Sequence, residues 1–152
     1  MDFITLIEDR IYLDIDANNS DDVFQNIASG LANEDLSSSN IYQHLLNRES
    51  FGSTGLGFSV AIPHGRIKGI KEPLLSITRT KQDINFNAPD NMPVKIFIGI
   101  LVPELANQQH LDLLANIAMM LSDDDLRQTL MIETSPAKII QVIQDYQSTQ
   151  SI

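Results

Sequence analysis

The chain contains no cysteine. That excludes disulfides, cysteine-zinc sites and thiol chemistry outright. Basic residues are scarce: ten Lys and Arg stand against twenty Asp and Glu, for a formal net charge of -10. A face that tracks nucleic-acid phosphates needs clustered Lys and Arg, and these are scattered, so no nucleic-acid partner is expected. An acidic surface suits a basic patch on another protein, which raises encounter rate more than affinity. Long apolar runs are also missing. The longest, "IFIGILV" (96–102), is far too short to span a bilayer, so no membrane insertion is expected. "MDFITLIEDR" at the start has neither a basic n-region nor an apolar h-region, so no signal peptide is expected and the cytoplasm is the expected compartment.

What remains is an ordinary globular composition, 43% hydrophobic and 20% charged over 152 residues. The length fits one domain over 1–152. The polar stretch "ANNSDD" (17–22) leads into a helix that Ser20 or Asp21 can cap, with Val23, Ile27 and Leu31 at helical spacing. A second helix follows the serines at 37–39, with Ile41 and Leu45 on one face. "GSTGLGFSVAIP" (52–63) reads as a glycine-rich entry to a strand that Pro63 stops. "PLLSITRT" (73–80) reads as a strand and "INFNAPDNMP" (84–93) as a short strand or turn. "VKIFIGILV" (94–102) has the unbroken apolar character of a strand covered on both faces. No helix fits between the strands of 74–102, so some pairing there is antiparallel and the sheet is mixed. Three helices close the chain: 107–121 with Asn107 as N-cap, 122–131 with a Ser122/Asp125 capping box, and 134–146 with Ser135 and Pro136 at its start. The polar tail is expected to fray. The fold class is α/β, a mixed parallel and antiparallel sheet of four to five strands flanked by about five helices.

Three histidines are present. His64 follows a proline at the carboxyl end of a strand, where α/β sheets bind ligands. Pro63 stiffens the backbone before it, and Gly65 lets a partner approach closely. A plain loop histidine fits the local context equally well. His110 lies in the first turn of its helix and, with Leu114, Ile117 and Leu121, on the apolar stripe. There it faces either an anion at the helix N-terminus or a core carbonyl. Arg48 shares a stripe with Ile41 and Leu45, and either snorkels or clamps an anion in a cleft. His44, between Gln43 and Leu45, reads as a surface or boundary residue. The loop "GSTGLG" (52–57) offers backbone N–H groups to an anion but is no Walker A loop, since no Gly-Lys-Ser/Thr follows. The acids at 123–125 form a helix first turn. No third zinc ligand is spaced for a metal site, and no G-x-S-x-G elbow is present. Two histidines, an arginine and a glycine loop are what phosphoryl transfer through an imidazole requires.

"RES-x-x-x-TGLG-x-x-x-AIPHGR" (48–66 in outline), "DNMPVKIFIGILVP" (90–103) and "HLDLLANIA" (110–118) together resemble the enzyme IIA domain of the fructose/mannitol class of the bacterial phosphotransferase system. "GSTGLG" with "DNMPV" is most similar to the nitrogen-regulatory, single-domain branch. The resemblance spans roughly 5–145. It implies that His64 accepts a phosphoryl group from a histidine-containing phosphocarrier protein, that His110 hydrogen-bonds that group, and that Arg48 neutralises it. Thr54, Gly55, Gly57 and Gly65 are implied beside the phosphoryl group, and no cofactor or metal is implied. The implied protein is a phosphotransferase-type phosphocarrier with a phosphohistidine intermediate, and its targets are transporters or sensor kinases. The alternative is a sugar-transport role passing the group to a IIB domain. Two departures stand out: Ser59 where many relatives carry Gly, and Lys95 after "DNMPV".

Overall fold

The computed structural model describes residues 2–150. Its sheet follows from two long strands. β5 (Leu74–Ile84) and β6 (Val94–Pro103) pair antiparallel, with Leu75 opposite Ile100 and Ile77 opposite Ile98. β6 is buried throughout except at Lys95, which is half-buried, as its apolar run requires. Around this pair the chain adds β1 (Ile11–Ile15) parallel to β5, and β3 (Val60–Ala61) and β4 (His64–Ile67) both parallel to β6. β2 (Gly55–Gly57) pairs antiparallel with β3. The sheet is mixed, as expected, with the order β1-β5-β6-β3-β2 and β4 beside β6.

Alternation along β6 builds a core on each face. Ile96, Ile98, Ile100 and Val102 pack with Leu113, Ile117, Leu130, Ile139 and Ile143. Phe97 and Leu101 pack on the opposite face with Val23, Ile27, Leu31, Ile41 and Leu45. The first face is covered by α1 (Phe3–Ile7), α4 (Gln108–Met120), α5 (Asp124–Ile132) and α6 (Pro136–Gln150), and the second by α2 (Ser20–Leu31) and α3 (Ser38–Glu49). Gly99 in β6 is the point of closest approach. A Cβ there would lie 2.6 Å from Ile27 Cγ2 of α2 and 2.7 Å from Ser76 Oγ.

The expected count of four to five strands and about five helices is corrected to six of each among the described residues. The additions are short. α1 has five residues, and β2 and β3 have three and two, too few to carry a periodic apolar signal. Within 52–63, read as a glycine-rich entry to one strand, residues 55–61 form a β2–β3 hairpin, and a new strand starts at His64 itself. β5 runs on to Ile84, so 85–93 is a connection and contains no strand. Two caps also move by one residue. Asn19, not Ser20 or Asp21, caps α2 by accepting from Asp22 N–H at 2.9 Å. Ser122 donates its hydroxyl to Met119 carbonyl at the end of α4, so Asp123 caps α5. The tail continues α6 as far as Gln150. Asn107 and the Ser135-Pro136 start hold as read, and Ser37, the first of the serines at 37–39, caps α3.

A buried cation ties three elements together on the first face. Arg79 of β5, 3% exposed, pairs with Asp14 of β1 at 3.0 Å and donates to the Leu130 and Glu133 carbonyls at the end of α5. It replaces the missing C-terminal hydrogen bonds of that helix with charge-assisted ones.

Candidate phosphoryl site

His64 is the first residue of β4, opposite Ile100 of β6. The preceding carbonyl of Pro63 accepts from Ile100 N–H at 3.0 Å, so the backbone is already committed to the sheet before the side chain departs. Nδ1 of the ring lies 2.7 Å from the Ile62 carbonyl oxygen. A carbonyl only accepts, so Nδ1 carries the proton and Nε2 carries the lone pair. Ile62 is itself fixed: its side chain is buried in the core, and its N–H donates to the Thr54 carbonyl at 3.0 Å.

The half-buried ring is held below the ordinary histidine range, first by burial and then by the Arg48 charge, against the opposing bond from Ile62. It is therefore neutral near pH 7, the state in which Nε2 can attack an electrophile. Arg48 sits in the last turn of α3, donates from Nη1 to the Gly52 carbonyl at 2.9 Å, and lines the same cleft as His64. The cleft has a volume of about 390 Å³. Gly65 lines it as well, and what approaches its bare Cα is α3: an added Cβ would lie 3.4 Å from His44 Cβ.

His110 is 7% exposed at the third position of α4. Its backbone N–H donates to Asn107 Oδ1 at 3.0 Å, and its Nδ1 accepts from Asn107 N–H at 3.4 Å, closing a reciprocal cap. That bond leaves Nε2 as the N–H of a neutral ring. Leu111 and Leu114 of the same helix line the His64 cleft; His110 is not among its lining side chains.

The glycine loop takes a different part from an anion cradle. Thr54 N–H and Oγ1 both donate to the Glu49 carboxylate at 2.7 Å, and Gly55 N–H donates to Ser53 Oγ. Asp90 accepts from Phe58 N–H beside Gly57, whose φ of +88° needs a glycine. These donors are already engaged, by Glu49 of α3, by Ser53 and by Asp90 of the 85–93 connection. What the loop delivers to His64 is position, through Thr54 carbonyl to Ile62 N–H and Ile62 carbonyl to Nδ1. Glu49 holds the loop, and nothing in its local sequence marks it for that part. Burial pushes its carboxyl above the usual range, with the bonds from Thr54 opposing. His44 is half-buried, in keeping with the surface or boundary position expected of it, and it lines the cleft. The signal was available, since His44 lies four residues before Arg48 and so on the same helical face. Among the described residues no cluster of three or more His, Asp or Glu is gathered to hold a metal ion.

Against known families, residues 5–146 match the model of the phosphoenolpyruvate-dependent sugar phosphotransferase system EIIA 2 family. The chain belongs to that family. As an EIIA-2 member it is similar to a nitrogen regulatory protein of Pseudomonas aeruginosa, 35% identical over 84% of each chain. It is 34% identical, over 66% of its length, to a fructose-specific EIIA component from Haloferax volcanii, of which it spans 63%. Among solved structures it is similar to the nitrogen regulatory protein IIA-Ntr from Neisseria meningitidis, with 36% identity, a TM-score of 0.84, and 88% of this chain and 92% of that one covered. The mixed EIIA-2 sheet inferred from the sequence is thus the sheet found, with more strands than expected.

Proposed function

We propose that this EIIA-2 protein is a phosphocarrier of the nitrogen branch. It accepts a phosphoryl group on His64 and signals by protein binding that depends on that modification. The reading rests on one observation above the others: a neutral imidazole whose Nδ1 is tied to the Ile62 carbonyl and whose Nε2 is left for attack, beside Arg48, in a chain similar to nitrogen regulatory proteins.

In the transfer, Nε2 of His64 forms its bond to phosphorus as the P–N bond of the donor's phosphohistidine breaks. The electron pair returns to the donor ring, and the proton stays on Nδ1 of His64, hydrogen-bonded to the Ile62 carbonyl, throughout. Positioning and charge stabilisation do the work. Arg48 offsets the phosphoryl charge, and His110 donates from Nε2–H. Thr54, Gly55, Gly57 and Gly65 set the frame around them. The donor is a histidine-containing phosphocarrier protein, and the targets are regulatory proteins such as transporters or sensor kinases. The similarity to a fructose-specific EIIA component supports a second reading, onward transfer to a IIB domain.

Affinity capture from a bacterial lysate, with the phosphorylated protein and with the unphosphorylated protein as separate baits, separates the two. A transporter or sensor kinase retained by one state and released by the other is the expected result. A IIB domain as the specific partner of the phosphorylated state contradicts the regulatory role and supports transport.

A further inference from the structure

We propose that His44 is a further imidazole of the phosphoryl site beside His64 and His110, binding the group on His64 through its protonated ring; this rests on the phosphoryl-acceptor reading of His64. The placement comes first. His44 lies on α3 four residues before Arg48, and both side chains line the cleft that holds His64. α3 is seated directly against the residue after His64, because His44 Cβ would be only 3.4 Å from a Cβ at Gly65.

The ring is oriented in advance. Nδ1 lies 2.8 Å from the Asn40 carbonyl oxygen, one turn earlier in the helix. A carbonyl only accepts, so Nδ1 is protonated and Nε2 is the free end of the ring. Here His44 and His110 differ. His110 has its Nδ1 filled by a backbone donor, so its neutral form already presents an N–H. Neutral His44 presents a lone pair at Nε2, which repels a phosphoryl oxygen. Only the imidazolium donates from both nitrogens, and its bond to the phosphoryl group is charge-assisted.

The charges around the cleft make the phosphoryl group the source of that proton's stabilisation. Arg48 from α3 and His64 and Arg66 from β4 are the charged and titratable groups lining it, together with His44 itself. β6 and α4 contribute Val102, Leu111 and Leu114, which carry no charge. α2, packed on the other side of α3, directs Asp21 to the Tyr42 hydroxyl. Among the described residues no carboxylate lines the cleft. A phosphoryl dianion arriving in this cleft favours the imidazolium over the neutral ring, so His44 couples the strength of the site to pH.

The test uses phosphoramidate, a small donor whose P–N bond breaks as ammonia leaves with the electron pair and takes a proton from water. Phosphoryl acceptance by the wild-type protein and by His44→Gln is followed by intact mass and by mapping of the His64 peptide. The ratio of the two rates cancels the titration of His64 and of the reagent. It is expected to be about tenfold near pH 6 and to fall towards one near pH 8.5, across the range where histidine changes charge. A ratio of one at every pH, with wild type labelled on His64, overturns the role of His44 alone. Failure of wild type to gain a phosphoryl group on His64 overturns the acceptor reading, and this inference with it. His44→Asn is the second variant, so misfolding of one leaves the comparison intact.

Discussion

His64 is tuned by burial and two neighbours, which pull in two directions. Burial, the largest influence, and the Arg48 charge disfavour the imidazolium, while the Ile62 carbonyl favours it. The ring therefore takes up a proton at lower pH in the folded chain than in the unfolded one. Below about 6.5, the ordinary histidine value, the unfolded state binds a proton that the folded state does not. Stability then falls as pH drops, and the loss ends once pH passes below the folded value. Denaturant unfolding at about pH 7.5 and about pH 5.5 should show a smaller loss for His64→Gln than for wild type, because that replacement has no such titration. Equal losses would mean that the folded environment does not disfavour the cation. Legibility at this scale was uneven. His64, His110 and Arg48 stood out because each is a polar residue in an apolar or rigid context. His44 was legible only through its spacing from Arg48, and Glu49 sits in ordinary helical surroundings, where only its contact with the glycine loop gives it meaning.

At the scale of elements, the hairpin between β2 and β3 shows why the departure at Ser59 matters. Phe58 and Ser59 both have left-handed φ, 56° and 66°. The turn is held there from outside: Ser59 carbonyl accepts from Lys95 and Ile96 N–H in β6, and Asp90 accepts from Phe58 N–H. Phe58, 70% exposed, rests under the Arg127 guanidinium at 4.5 Å. A left-handed non-glycine residue costs about 1–2 kcal/mol, and the flexibility of glycine in the unfolded chain takes back part of that. Ser59→Gly is therefore expected to stabilise the protein by about 0.5–1 kcal/mol, read from the urea midpoint at unchanged slope. A lower midpoint would show that the serine makes a contact worth more than the strain. Helices were legible at this scale because caps and periodicity agree, as with Ser37 and Asn107. The short strands were not, since two or three residues hold no pattern and their pairing is decided by β6.

At the scale of the whole molecule, the uninterrupted apolar run of β6 was the strongest signal in the sequence, and it became the strand on which both cores are built. Part of the acidity is also accounted for. Asp21 and Asp22 open α2, and Asp124 and Asp125 open α5, each next to a positive helix end. Arg79 gave no such signal, because a lone arginine in "SITRT" shows neither its burial nor its reach to the end of α5. The architecture brings α3, β4 and the first turns of α4 to one end of the sheet, and the central claim is that this end accepts a phosphoryl group on His64. The direct measurement is incubation of wild type, His64→Ala and His110→Ala with a phosphorylated histidine-containing phosphocarrier protein, followed by peptide mapping of acid-labile, alkali-stable label. The account predicts label on the His64 peptide of wild type, none with His64→Ala, and slower labelling with His110→Ala. Wild-type labelling of His64→Ala would contradict it.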